Sequence, residues 1–297
     1  MQSMVLTRIN TGDDPFLAPR DAGEVAADAV MRTFILDAAP PAVVYRQNGG
    51  SYALVIPSRR GARLLTVPAA NEADFTFHGN ADADGEQLAD FVATAIAEST
   101  ADHVRLPLLS EAQAAWLRHQ LAARLPDWIW SVSLAAVAPL AVGRMHKTGQ
   151  LRNAMARAVD DGLVLDCSRS MNPREVQAVH VKRWGPTNRG SVFFAMLDAL
   201  LSAGCAELIT ARSRGGALVA AQLDILGSAT RHDYYSVSDT DSVKGCGTAA
   251  LGVSWSRFVA DGRQTVYSFG RGSERYKYQY ANGHQALFEL RGFFAPA

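Results

Sequence analysis

Residues 206–259 read AELITARSRGGALVAAQLDILGSATRHDYYSVSDTDSVKGCGTAALGVSWSRFV, and the fold is decided there. Ala206 to Ala211, Ala217 to Leu226 and His232 to Val237 are runs of strand length, separated only by Ser213-Arg214-Gly215-Gly216 and by Gly227-Ser228. Connections this short join antiparallel neighbours, because a parallel return needs a crossover of roughly a dozen residues or more. The stretch predicts a three-stranded meander. A loop from Ser238 to Gly247 then leads into a helix at Thr248 to Val259.

Outward from the meander the punctuation stays clear. Downstream come a strand at Thr265 to Phe269, a short helix near Glu274 to Tyr280 and a last strand at Gln285 to Leu290; Tyr276, Tyr278 and Tyr280 also alternate as edge-strand residues would. Upstream, a helix over Ser191 to Ala203 closes at Gly204. Before it, Asn172-Pro173-Arg174-Glu175 supplies an N-cap, a proline at the first helical position and a glutamate three residues after the cap, a pattern that satisfies exposed helix N–H groups reciprocally. That helix ends before Gly185-Pro186. Leu163 to Asp166 reads as a buried strand. Residues 148–161 place Leu151, Ala154, Met155, Ala158 and Val159 on one helical face and stop at Gly162. The order is β-α-α-β-β-β-α-β-α-β.

The first half reads as a smaller α/β unit without a chemical motif. Ala42 to Arg46 and Tyr52 to Ile56 flank Gln47-Asn48-Gly49-Gly50, and Asn-Gly is a strong short-range hairpin signal. Leu64 to Val67 adds a third strand. Glu86 to Glu98 carries the helical stripe Leu88, Phe91, Val92, Ala95 and Ile96; a strand at His103 to Leu106, a helix opened by Ser110 and a strand at Trp128 to Val137 close the unit.

Composition bounds the function. The 297 residues suffice for two medium domains, and 48% hydrophobic with 20% charged residues excludes disordered, collagenous and coiled-coil classes. Twenty-nine basic side chains balance 29 acidic ones, so no chain-wide field holds nucleic acid. The balance is uneven along the chain: residues 1–140 carry 10 basic and 16 acidic groups, residues 141–297 carry 19 and 13, so an anionic ligand prefers the second half. Three cysteines without close spacing suit a reducing compartment. No secretory signal is read at the start, and the most apolar stretch, Leu134 to Val142, is far short of the roughly 20 residues a membrane helix needs, so a cytoplasmic protein without membrane contact is expected.

The element order is similar to the GNAT fold of N-acetyltransferases. Particular segments resemble the GNAT branch related to Fem peptidyltransferases and cellulose-cluster acetyltransferase-like proteins. Lys147 with Leu151-Arg152-Asn153-Ala154 and Gly162 resembles that branch's basic helix between its halves. His180-Val181-Lys182-Arg183-Trp184 resembles its H-x-x-R-W segment, and Tyr267-Ser268-Phe269-Gly270-Arg271-Gly272-Ser273-Glu274-Arg275-Tyr276-Lys277 its x-D-F-G-x-G-x-E-x-Y-K signature. Ser268 stands where the family usually has aspartate, and the long helical hairpin by which many Fem enzymes are recognised is lacking. The resemblance implies α/β architecture of the α+β type in two GNAT-like halves, each a mixed, mostly antiparallel sheet flanked by helices: a degenerate half over 1–140 and a catalytic half over 141–297.

The resemblance also assigns roles. The family's pyrophosphate loop falls on Ser242, Lys244, Gly245, Gly247 and Thr248: glycines let backbone N–H groups approach phosphates, and the helix macrodipole favours the anion. Read alone, the same glycines make a plain helix-opening turn. Tyr276 and Lys277 are the catalytic pair, serving leaving group and carbonyl; read alone they are a half-buried tyrosine and a solvated lysine. His180 is the base or an acceptor-orienting residue, although it shares a helix face with Val176 as a packed histidine would. Arg183, Trp184, Asp224, Asp233 and Tyr235 are substrate-binding candidates. His146, His180, His232 and the cysteines lack metal-ligand spacing, so no metal is expected. Cys246, near a helix N-terminus, suits a thiol of lowered pKa, with a covalent acyl-cysteine route ranked below direct transfer.

The expected function is N-acyl transfer from a carrier to a primary amine of a small molecule or peptide. Acyl-CoA is the favoured donor. Aminoacyl-tRNA is the alternative, as nine basic against four acidic residues over 141–191 allow, and a silent GNAT-like binding module is a third reading.

Overall fold

The structure is a computed structural model. It describes residues 7–9, 43–46, 52–57, 63–66, 85–99, 101–185, 191–202, 204–227, 230–239, 241, 243–272 and 274–295. The Asn48-Gly49 turn and Ser242 lie outside the described residues. The chain divides into two compact units, one of Met1–Val137 with Gln285–Ala297 and one of Ala138–His284.

The first unit contains β1 (Thr7–Ile9), β2 (Val43–Arg46), β3 (Tyr52–Pro57), β4 (Arg63–Thr66), α1 (Gly85–Ser99), β5 (His103–Leu109), α2 (Glu111–Arg124) and the opening of β6 (Trp128–Val142). β1 to β4 form an antiparallel meander, and β4 then runs parallel to β5. Phe91, Val92 and Ile96 of α1 and Leu117 and Leu121 of α2 bury against Val104, Leu106, Trp128 and Trp130. α2 carries a complete capping box: the Ser110 hydroxyl accepts from the Gln113 N–H at 3.2 Å and the Gln113 side chain accepts from the Ser110 N–H at 2.9 Å.

The second unit starts with the end of β6 and adds α3 (Thr148–Asp160), β7 (Val164–Ser168), α4 (Pro173–Trp184), α5 (Ser191–Ser202), β8 (Ala206–Arg212), β9 (Leu218–Leu226), β10 (Thr230–Ser238), α6 (Cys246–Asp261), β11 (Val266–Ser268) and α7 (Arg275–Tyr280). Its strands lie in the order β6-β11-β10-β9-β8-β7. The β8-β9-β10 meander is antiparallel, as its short turns require. Both units are thus mixed, mostly antiparallel sheets with helices, the α/β class read from the sequence. Among the described residues no helix is long and apolar enough to cross a membrane.

Three local expectations change. The final strand, β12 (Gly283–Phe294), pairs antiparallel with β5, and Leu290 is fully buried in the first unit's core, so this strand leaves the half in which the sequence order placed it. β7 pairs only with β8 at the sheet edge; Val164 is 60% exposed, so the strand is not buried, because an apolar run does not report how many neighbours it has. At α4 the Asn172 side chain caps the Arg174 N–H, but Glu175 turns to Arg212 at 2.7 Å instead of back to the cap, since a guanidinium is the stronger partner.

Candidate functional site

The site is built around the second half of β10. Its parallel ladder with β11 covers only Thr230↔Val266, Arg231↔Tyr267 and His232↔Ser268. Among the described residues, Asp233 to Ser238 ladder on the β9 side alone, where the register slips between Asp233 and Tyr235. Tyr234 is the extra residue of a β-bulge, and a bulge re-aims the side chains around it. Plain alternation would put Asp233 and Tyr235 on one face. Instead Asp233 opposes Asp224 and Ser236 opposes Gln222, while Tyr235 opposes Leu223. Asp233 and Ser236 therefore share one face, Tyr235 and Val237 the other.

On the first of these faces, Tyr276 of α7 reaches β10, where its hydroxyl bonds to Ser236. The residue is 37% exposed, but burial around its hydroxyl, and then the nearby Asp233 charge, push its pKa above the ordinary 10. Lys277 is 8% exposed: its Nζ donates to the Arg271 carbonyl at 2.9 Å and lies 3.2 Å from Glu274 Oε2. Lys277 does not match the bland alternative of a solvated lysine, whereas Tyr276 fits that of a half-buried tyrosine; the alternating tyrosines lie on a helix and not on a strand. Ser268, in the aspartate position, accepts the Gly270 N–H at 3.2 Å and so keeps a turn that a carboxylate would also make.

On the opposite face, His180 of α4 is buried, with Nδ1 3.0 Å from the Tyr235 hydroxyl. Rings surround it: Trp184 at 4.7 Å, Phe194 at 5.7 Å and Tyr235 at 5.9 Å between centroids. Packing against Val176 and Val179 of its own helix and a polar link to β10 thus coexist. Trp184 is 53% exposed and Arg183 exposed, at the end of α4.

β10 ends in the glycine loop. Gly245 sits at φ +85° as the N-cap of α6, with no side-chain cap, and a Cβ on Gly247 would stand 2.9 Å from Ser238 Oγ and 3.1 Å from its Cβ. Lys244 is exposed and Thr248 half-buried beside them. An uncapped helix start reached through glycines is the arrangement that cradles a phosphate. Asp239 shapes the loop from inside, paired to Lys182, its carbonyl accepting the Val243 N–H at 3.2 Å. Cys246 is wholly buried, and burial raises its pKa despite the neighbouring Gly247 N–H. A reactive low-pKa thiol at this helix start is therefore corrected: the side chain lies inside, against the Val219 and Asp239 carbonyls.

Asp224 lies opposite Asp233, the first residue of the open half of β10. It is fully buried and taken up by Arg231, whose Nε donates to Oδ2 at 2.7 Å, by Gln222 at 2.8 Å and by the Ser254 hydroxyl. Sequence reading missed this network, Ser236 and the bulge. Asp224 and Arg231 are opposite charges on either side of Gly227-Ser228 in the sequence, which is a readable signal; the bulge has none. Among the described residues no cluster of metal-ligating groups occurs.

Residues 146–278 match the family model described as acetyltransferase (GNAT) domain. No curated protein matches the sequence. Among solved structures, L-PGS from Bacillus licheniformis aligns over 89% of this chain and 85% of its own at 11% identity, TM-score 0.60. The C-terminal domain (DUF2156) of a putative lysylphosphatidylglycerol synthetase from Agrobacterium fabrum aligns over 90% and 87% at 14% identity, TM-score 0.60, and FemX over 97% of both chains at 9% identity, TM-score 0.57. Residues 146–278 are a GNAT domain, and over most of its length the chain shares the fold of FemX and of the other two structures. Acyl or aminoacyl transfer is the general chemistry of that fold.

Proposed function

We propose that this protein is an N-acyltransferase that moves an acyl group from a coenzyme A thioester to a primary amine of a small molecule or peptide, with residues 138–284 as the catalytic unit and the first unit as its degenerate counterpart. One observation carries the reading: β10 parts from β11 after His232, at a bulge, with Tyr276 against the parted strand and a glycine-lined helix start without a side-chain cap where that strand ends.

Gly245, Gly247, Lys244 and Thr248 at the start of α6, with the neighbouring Ser242 of the sequence motif, would hold the donor's pyrophosphate, and N–H groups of the parted β10 would receive the carbonyl oxygen as it becomes an oxyanion. Trp184, Arg183 and the His180–Tyr235 pair would position the acceptor from the opposite face, and Asp233 would lie beside the reacting centre. The amine nitrogen attacks the carbonyl carbon, a C–N bond forms and the C–S bond breaks. The proton shed by nitrogen ends on the departing sulfur, towards which the Tyr276 hydroxyl donates a hydrogen bond. Lys277 acts by holding the 271–274 turn under Tyr276. Holding both partners at attack distance supplies much of the rate.

A charged tRNA is the second donor reading, favoured by the exposed Arg152, Arg157, Arg169, Arg174 and Lys182 on and around α3 and α4. Incubation with labelled acetyl-CoA, or with charged tRNA with and without RNase, over a panel of amines separates the two. Loss of label from acetyl-CoA to an amine is expected. Loss only from tRNA, abolished by RNase, replaces the donor, and binding without turnover of either would leave a binding module.

A further inference from the structure

Arg231 and Tyr267 are register partners in the middle of the three-residue parallel ladder, and both side chains are fully buried. Beneath them lies a continuous polar chain. Arg231 donates to Asp224 at 2.7 Å and to Glu207 at 2.8 Å, and Glu207 also receives Arg257 of α6 at 2.7 Å. Gln222 donates to the Tyr267 hydroxyl at 2.9 Å, that hydroxyl stands 2.7 Å from Ser254 Oγ, and Ser254 in turn donates to Asp224. With Gln222 giving to the phenol oxygen and Ser254 giving to the carboxylate, the phenol proton points at Ser254. The chain joins β8, β9, β10, α6 and β11 on one face of the sheet.

β11 is held by three antiparallel pairs on β6 and by three parallel pairs on β10. Immediately past them the strands diverge: Ser268 starts the turn at Gly270, whose φ is +66°, and the Phe269 N–H goes to Pro139 of β6. We infer that the hydrogen bonds of Tyr267 to Ser254 and Gln222, anchored on the Asp224–Arg231–Glu207 charges, set the residue at which β10 and β11 part, which makes Tyr267 and Ser254 positioning residues for the slot. This rests on the slot being the acyl site only for its kinetic consequence. The geometric claim stands by itself. Its ground is where the polar chain meets the two strands: the bonds named above touch β10 at Arg231 and β11 at Tyr267, and the ladder between them ends one pair later, at His232–Ser268.

The test removes hydroxyls and leaves shape. In Tyr267→Phe and Ser254→Ala, backbone amide exchange at 233–236 and 268–270 is expected to speed up by about tenfold, with amides of 219–223 unchanged, because local opening is released without global unfolding. Steady-state kinetics with acetyl-CoA is expected to show kcat lower by about tenfold with KM for the donor within about twofold, the split expected when alignment is lost but binding is kept. Unchanged exchange at the parting residues, or acceleration spread evenly over β8 to β10, would overturn the inference, since even acceleration means that the hydroxyls only stabilise the unit. Should the unaltered protein fail to use acetyl-CoA, the donor reading falls and the exchange pattern alone decides the inference. If Tyr267→Phe does not fold, Ser254→Ala gives the same measurement.

Discussion

In chain order both halves run through a meander, a helix, a strand returning parallel to the last meander strand, a helix and a closing strand, although the closing strand of the second half, β12, pairs with β5 in the first unit. In the first, β4 lies parallel to β5 through Leu64↔His103, Leu65↔Val104 and Thr66↔Arg105; in the second, β10 lies parallel to β11 through three pairs as well. Beyond its third pair β10 continues through Asp233 to Ser238 with a bulge at its start. A strand that outruns its partner leaves backbone N–H groups and alternating side chains off the ladder on that side. The repeated topology supplies a scaffold, and chemistry requires the overhang.

The largest test of that difference is Tyr276→Phe. Removing a donor aimed at the leaving group is expected to lower kcat by about a thousandfold, measured with the amine that the transfer assay identifies. An aromatic change on the helix in the same position of the first unit, Trp116→Phe on α2, packs at the edge of that core and is expected to leave kcat within about twofold. If both changes reduce turnover equally, the units are not divided into site and scaffold.

The units also hold a carboxylate between two arginines in different ways. Glu207 lies between Arg231, 1% exposed, and the half-exposed Arg257; Glu289 lies between Arg105 and Arg291, both more than half exposed. Burial alone would raise the pKa of Glu207, but hydrogen bonds from Arg257 and Arg231 outweigh it and bring it down from 4.5 to about 2. Glu289 is lowered by the same competition. Glu207→Gln takes from the buried Arg231 one of its two carboxylate partners, leaving Asp224, and is expected to cost about 2 kcal/mol, whereas Glu289→Gln leaves two solvated arginines and is expected to cost about 1 kcal/mol or less. The sign of the pH effect is set by the lowered pKa. Ionised Glu207 stabilises the folded state fully above its unfolded value near 4.5, and this stabilisation is lost as pH falls towards about 2. Thermal melts should therefore show the gap between wild type and Glu207→Gln closing from pH 5 to about pH 2. A gap that widens on acidification would contradict the charge assignment.

Legibility in the sequence divides along the same line. Periodicity and turn residues mark the elements of the second unit to within a residue or two, because each is bounded by Gly204, Gly216, Gly227, Gly262 or the Asn172-Pro173 cap. Tyr276 is readable from the motif around it. Not readable are facts that depend on partners distant in the chain: that β12 crosses to β5, that β7 has one neighbour, and that Lys277 spends its charge on Arg271 and Glu274. The bulge is hidden for another reason. Asp233-Tyr234-Tyr235-Ser236 contains nothing to show that one residue is left out of register, yet that one-residue slip decides which side chains meet Tyr276.

The smallest effect sharpens the comparison at the level of one methyl group. Each unit has a glycine on which a Cβ would collide. Gly247 approaches Ser238 at the end of the overhanging strand, while Gly292 on β12 lies under the Trp130 ring, 2.5 Å from where its Cβ would be. Gly247→Ala pushes the start of α6 away from β10: Ser238 Oγ can rotate aside, but its Cβ at 3.1 Å cannot, so the loop must shift by a few tenths of an ångström. Backbone N–H groups aimed at a phosphate lose alignment by that shift, and acetyl-CoA binding by calorimetry is expected to weaken about tenfold, about 1.4 kcal/mol, with little change in Tm. Gly292→Ala overpacks a buried ring and is expected to cost about 1–3 kcal/mol of stability while leaving that affinity unchanged. Equal loss of donor affinity in both variants would mean that the glycine loop holds no phosphate. The α6 start would then be only a turn, and the donor would have to be held elsewhere.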